Sequence, residues 1–142
     1  MFFTTAGPRR VMAALSSMLI TAAGATAAPG DADEGRALYM EYCATCHAPQ
    51  GDGTGPMAGV LMVKPADLTA LAAEDPDGRF PRARVVRRID GRDPLVSHGS
   101  PMPVYGFFFE GRDTTLRTAS GQPIMTSQPV ADIVAFLETI QD

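Results

Sequence analysis

The chain has 142 residues, a formal charge of −4 and 45% hydrophobic residues. That length suits one domain, and the composition excludes both a disordered tail and a polytopic membrane protein. Two cysteines are too few for a disulfide scaffold, and the acidic balance argues against a nucleic-acid partner.

The N-terminus reads as an export signal. Arg9 and Arg10 precede an uncharged run over 11–28, and Ala25-Thr26-Ala27 offers the small-x-small pattern of a cleavage site. The expectation is a signal peptide over 1–27 and a single domain over 28–142. It implies a periplasmic location and no stable membrane insertion after cleavage. An uncleaved anchor is the alternative, weakened by the Ala, Thr, Ser and Gly that make the run poorly lipophilic.

Asp33 to about Cys46 reads as the first helix, capped by Asp31 or Asp33, with Leu38, Tyr39 and Tyr42 at helical spacing. A Gly/Pro-rich loop follows over 49–56, then an apolar run over 57–63 (MAGVLMV) that suits a short helical turn. The second clear helix is Pro81 to Ile89, with Pro81 at its first position, Gly91 at its exit and a stripe of Val85, Val86 and Ile89. Residues 90–127 are punctuated by Pro94, Pro101, Pro103 and Pro123 and show no sustained alternation; Phe107 to Phe109 suits a strand or a buried loop. The last helix is Gln128 to Ile140, capped by Thr126 or Ser127, with one broad apolar face. The fold class is therefore all-α, with three main helices and long connections. A connection as long as 90–127 is unusual unless it has something rigid to wrap.

Cys43-Ala44-Thr45-Cys46-His47 carries the chemistry. C-x-x-C-H is the attachment signature of c-type haem. Thiols at i and i+3 share a helix face and reach two vinyl groups of one porphyrin, and the adjacent imidazole meets the iron. His47 must then be neutral, its second ring nitrogen oriented by an acceptor. Structural zinc would need four ligands, and adjacent Cys46 and His47 strain a tetrahedron. A redox dithiol would want flanking strands, which the pattern lacks.

A sixth ligand must come from His98 or one of eight methionines. Met1, Met12 and Met18 leave with the signal; Met40 lies in the first helix beside the attachment site; Met57 and Met62 read as packing. Met102, flanked by Pro101 and Pro103, sits in a backbone restricted to extended forms, which can present one side chain to a metal. Met125 and His98 are the alternatives.

With those motifs in place, the sequence resembles the class I, or mitochondrial-type, cytochromes c, in particular bacterial periplasmic monohaem members, over about 33–140. Gly35 and Tyr39 precede Cys43 where that family keeps a glycine and an aromatic, and Met102-Pro103 resembles its methionine loop. Residues 132–137 (DIVAFL) look like its last helix, with Ile133 and Phe136 over Gly35 and Tyr39. Thr54-Gly55-Pro56 resembles a family turn whose proline carbonyl orients the proximal imidazole, so the resemblance implies that role for Pro56. It also implies a cytochrome c fold around one covalent haem c, iron held by His47 and Met102, and redox protein partners. The chain departs from the family's lysine-ringed shuttles. It has a single lysine, Lys64, an arginine cluster over 79–92, and an apparent insertion over 110–126.

The chemistry implied is one-electron transfer, with Leu61, Leu68, Val85, Ile89, Tyr105 and Phe107 as candidate walls. A carrier, not an enzyme acting alone, is expected, since no Ser/His/Asp set or paired carboxylate site emerges. Two other readings share the motif: a ligand-sensing haem, and the dedicated electron-transfer subunit of a larger periplasmic dehydrogenase or oxidase.

Overall fold

The computed structural model describes residues 1–2, 30–93 and 102–142. The expected signal peptide over 1–27 falls almost wholly outside these residues, and His98 lies outside them. Among the described residues four helices and one hairpin follow in chain order: α1 (Ala32–Tyr42), α2 (Ala44–His47), α3 (Arg82–Asp90), β1 (Asp113–Arg117), β2 (Pro123–Ser127) and α4 (Gln128–Thr139). Among the described residues no helix is long and apolar enough to cross a membrane.

Asp31 caps α1, its carboxylate accepting the Asp33 and Glu34 amides, while Asp33 and Glu34 place negative charge at the positive helix end. The helix expected to run to Cys46 breaks at Cys43. The Cys46 and His47 amides both bond to the Cys43 carbonyl, and α2 sets off from there. The break leaves the Tyr42 carbonyl without a helical partner.

α1 crosses α4 at Gly35. A Cβ on Gly35 would fall onto the Asp132 carbonyl and within 2.9 Å of the Ile133 amide nitrogen, so only glycine permits this approach. Beside the crossing the rings of Tyr39 and Phe136 pack 5.0 Å apart. The buried Asp132 side chain ties the elements together, accepting from the Asp31 amide at 2.8 Å and from Gln128 Nε2 at 2.7 Å. Tyr39, Val86, Val130, Ile133 and Val134 are fully buried around this crossing.

α3 packs Val85, Val86 and Ile89 inward and ends on Gly91 in the left-handed conformation. Arg82 makes a two-pronged pair with Glu138 on α4, one prong at 2.8 Å, and its Nη1 donates to the Arg117 carbonyl at 2.9 Å. Arg88 pairs with Asp93 at 3.3 Å, and Arg92 bonds to Asp90 and to the Met125 carbonyl. Part of the arginine cluster therefore works as structural fastening, leaving Arg84 and Arg87 exposed.

The all-α expectation is corrected over the insertion. β1 and β2 form an antiparallel hairpin, with Thr114 opposite Thr126 and Leu116 opposite Ile124. It turns through Thr118–Gln122 on Gly121, whose φ is 81°. The inward-facing positions begin with two buried threonines instead of large apolar residues. The alternating hydrophobic signature of a strand is therefore missing, and packing on α4 and the link to Arg92 hold the pair in place. Residues 57–63 begin in consecutive turns and form no helix, the Val60 amide bonding to the Met57 carbonyl at 3.1 Å, and Val60, Met62 and Val63 are exposed.

Candidate functional site

The residues that carry the motif meet in a cleft of about 450 Å³ between α1–α2, α3 and the strip after residue 101. Cys43, Cys46, His47 and Met102 all line it. Both thiols are free. Cys43 sits at the junction of the two helices and Cys46 within α2, so the break at Cys43 sets how the pair is presented.

α2 is only four residues long, and its carbonyls would be orphaned without help. The glycine loop folds back to supply donors. The Gly53 amide bonds to the His47 carbonyl at 3.0 Å, Gly55 to Cys46 at 3.2 Å, and Met57 to Thr45 at 3.0 Å. This needs glycine. A Cβ on Gly55 would come within 2.6 Å of the Cys46 carbonyl, and one on Gly53, at φ 76°, equally close to the Pro65 carbonyl. The Leu68 amide then bonds to the Gly51 carbonyl at 2.7 Å, laying the 65–68 strip alongside the loop.

That strip orients His47. The ring Nδ1 lies 3.0 Å from the Ala66 carbonyl. A carbonyl only accepts, so the proton belongs on Nδ1 and Nε2 keeps the lone pair a metal requires. The His47 ring therefore meets the Ala66 carbonyl where the expectation was Pro56, and the Gly55 amide of the turn at 54–56 caps α2. A backbone acceptor has no side-chain signature, and the only hint was the stiffness of Pro65 before it. Burial lowers the His47 pKa below the ordinary imidazole value and so favours the neutral ring, and the Ala66 bond offsets this only in part.

Ala48 follows at φ 65° and ψ 159°. Its carbonyl accepts the buried Tyr39 hydroxyl at 2.6 Å and its amide bonds to Ala44, which together hold this uncommon conformation. Burial, then Cys46, pushes the Cys43 thiol up to about 11. A dithiol redox centre needs the reverse, a thiol brought down toward neutral pH.

The walls are apolar: Leu61, Leu68, Val85, Ile89 and Tyr105 line the cleft as expected from sequence. Phe107 does not; it is 89% exposed, and Phe109 is the buried member of the three phenylalanines. The rim carries Lys64, Arg84 and Arg88 against one carboxylate, Glu74. Met125, the alternative ligand, stands exposed on β2 with its sulfur against the Thr115 hydroxyl, away from the cleft lining. Met40, Met57 and Met62 are exposed as well.

A flat apolar ring with two carboxylates fits these residues. Paired thiols stand on one wall beside a neutral imidazole, a thioether is contributed by the strip after residue 101, the flanks are apolar, and cations at the rim suit the carboxylates. Neither the curated proteins nor the solved structures include a match to the chain. The sequence model of one family, Cytochrome c, matches residues 32–141, from the first residue of α1 to beyond the end of α4. Because that match takes in most of the chain together with the thiols, the imidazole and the crossing at Gly35, the protein belongs to the cytochrome c family and binds haem c, with its iron, covalently.

Proposed function

We propose that this cytochrome is an exported periplasmic carrier of single electrons of the class I, bacterial monohaem type, with its iron held between His47 and Met102. When bound, the haem supplies the Fe(III)/Fe(II) couple. The observation that carries the reading is that His47 and Met102, far apart in the sequence, line one cleft while Met125 does not.

The chain's residues bias that couple. A thioether is a soft ligand and favours the reduced metal, so Met102 raises the potential. The Ala66 carbonyl makes the imidazole a firmer donor, which acts in the opposite direction. Apolar walls disfavour the extra charge of the oxidised state, and the rim cations add to that preference. Redox proteins are the partners; Cys43 and Cys46 keep the carrier loaded while it moves between them.

Spectra of the matured protein in both oxidation states test the ligand set directly. Met102→Ala should lower the potential and admit carbon monoxide or imidazole. If it changes neither, while Met125→Ala or His98→Ala does, the sixth ligand has been misassigned. Rapid ligand binding by the unmodified protein at neutral pH would favour a sensor over a carrier.

A further inference from the structure

We propose that Tyr105 is the positioning residue that keeps the Met102 strip closed over the cleft. The inference rests on Met102 as the sixth ligand. The Tyr105 hydroxyl donates to the Tyr42 carbonyl at 3.0 Å. Tyr42 is the last residue of α1 and precedes Cys43 directly. Its carbonyl is the one left over by the break at Cys43, since the Cys46 amide that would normally reach it bonds to Cys43 instead. One hydroxyl thus fastens the segment that brings the thioether to the segment that brings the thiols.

The rest of Tyr105 fixes the strip from its other side. Its amide donates to the Ile89 carbonyl near the end of α3 at 2.9 Å, and its own carbonyl accepts from the Phe108 and Phe109 amides. Its ring stacks on the buried Phe109 at 5.4 Å and meets Tyr42 at 6.4 Å. On either side of Tyr105 the backbone is pressed on the end of α3. A Cβ on Gly106 would collide with the Asp90 carbonyl, and one on Gly91 would collide with Val104. Met102 lies three residues upstream and shares the cleft lining with Tyr105 and Tyr42. Among these attachments the hydroxyl is the only one that reaches across the cleft to the thiol-bearing helix and can be removed by deleting one atom.

The test uses the full, haem-loaded protein and imidazole as the probe. Tyr105→Phe keeps the ring and its stacking, so the chain still folds around the buried Phe109. We expect covalent haem and the thioether-to-ferric charge-transfer band to persist in this variant. Imidazole should displace the thioether about five- to tenfold more readily, the loss of one hydrogen bond from the closed state alone. Phe136→Leu, in the core at the helix crossing, serves as the control. It should lower the unfolding midpoint and leave the imidazole affinity alone. If Tyr105→Phe matches the unmodified protein in imidazole affinity while Met102→Ala binds imidazole far more tightly, Met102 stands and the positioning role of Tyr105 is overturned. If Met102→Ala loses neither the band nor its resistance to imidazole, the ligand reading itself falls and takes this inference with it. If Phe136→Leu raises imidazole affinity as much as Tyr105→Phe does, the effect is general loosening and the role is likewise overturned.

Discussion

Gly35 on α1 rests against the main-chain carbonyl of Asp132 on α4, with no room for a Cβ between them. Both partners at this contact are backbone, so neither can swing aside. Gly35→Ala must part the helices and with them the Tyr39–Phe136 pair. The expected loss is about 3 kcal/mol, the upper part of the range for overpacking, read as a fall in the urea or thermal midpoint.

Tyr39→Phe removes one of the two donors to the Ala48 carbonyl and nothing else. That buried carbonyl keeps its second donor, the Gly51 amide at 3.1 Å. The expected cost is about 0.5–1.5 kcal/mol, the net worth of one hydrogen bond lost from an acceptor that keeps another. The covalent haem content of the matured protein should be unaffected, since the thiols do not depend on the hydroxyl.

Burial raises the ionisation of Tyr39 and, less strongly, of Tyr105 above the ordinary tyrosine value of about 10. The unfolded chain gives up these protons from about pH 10 while the folded chain still holds them. Their contribution to stability is therefore complete below pH 10 and is lost as pH rises through the folded values. A series of urea midpoints should fall on the alkaline side, with tyrosinate absorbance appearing together with unfolding. In Tyr39→Phe part of that alkaline loss should vanish.

Arg84 stands exposed on α3 at the rim of the cleft. A cation there favours the reduced, less positive iron. Arg84→Gln should lower the reduction potential by less than about 1 kcal/mol equivalent, the scale of a charge–charge term screened by solvent. Glu74→Gln, on the same rim, should raise it. Potentiometric titration at low and high salt checks both, and the two shifts should shrink together as salt screens them.

The helices were legible because their signals are local: Asp31 as a cap, Gly91 as an exit, and apolar stripes at helical spacing on α3 and α4. The thiols and imidazole were legible because a covalent motif tolerates no other spacing. Four features were not. The break at Cys43 has neither glycine nor proline to announce it, and shows only in the Cys46 and His47 amides sharing the Cys43 carbonyl. The hairpin hides because Thr114 and Thr126 occupy its inward positions where an apolar pair would have shown alternation. The acceptor for His47 is a main-chain oxygen at Ala66, reached through a loop closure that only the folded backbone reveals. Phe107 was misread as a wall because three consecutive phenylalanines look alike in sequence, while the turn there buries only the third.

Ala48 lies in a region of backbone space that glycine occupies at little cost. Holding alanine there costs about 1–3 kcal/mol. Exchanging it for glycine would release that strain. It would also surrender a buried methyl, about 0.8 kcal/mol, and loosen the unfolded chain by roughly 0.4–1 kcal/mol. These amounts largely cancel, so the site next to the proximal ligand is thermodynamically almost level between the two residues. A lineage could drift from one to the other without its folding equilibrium registering the change.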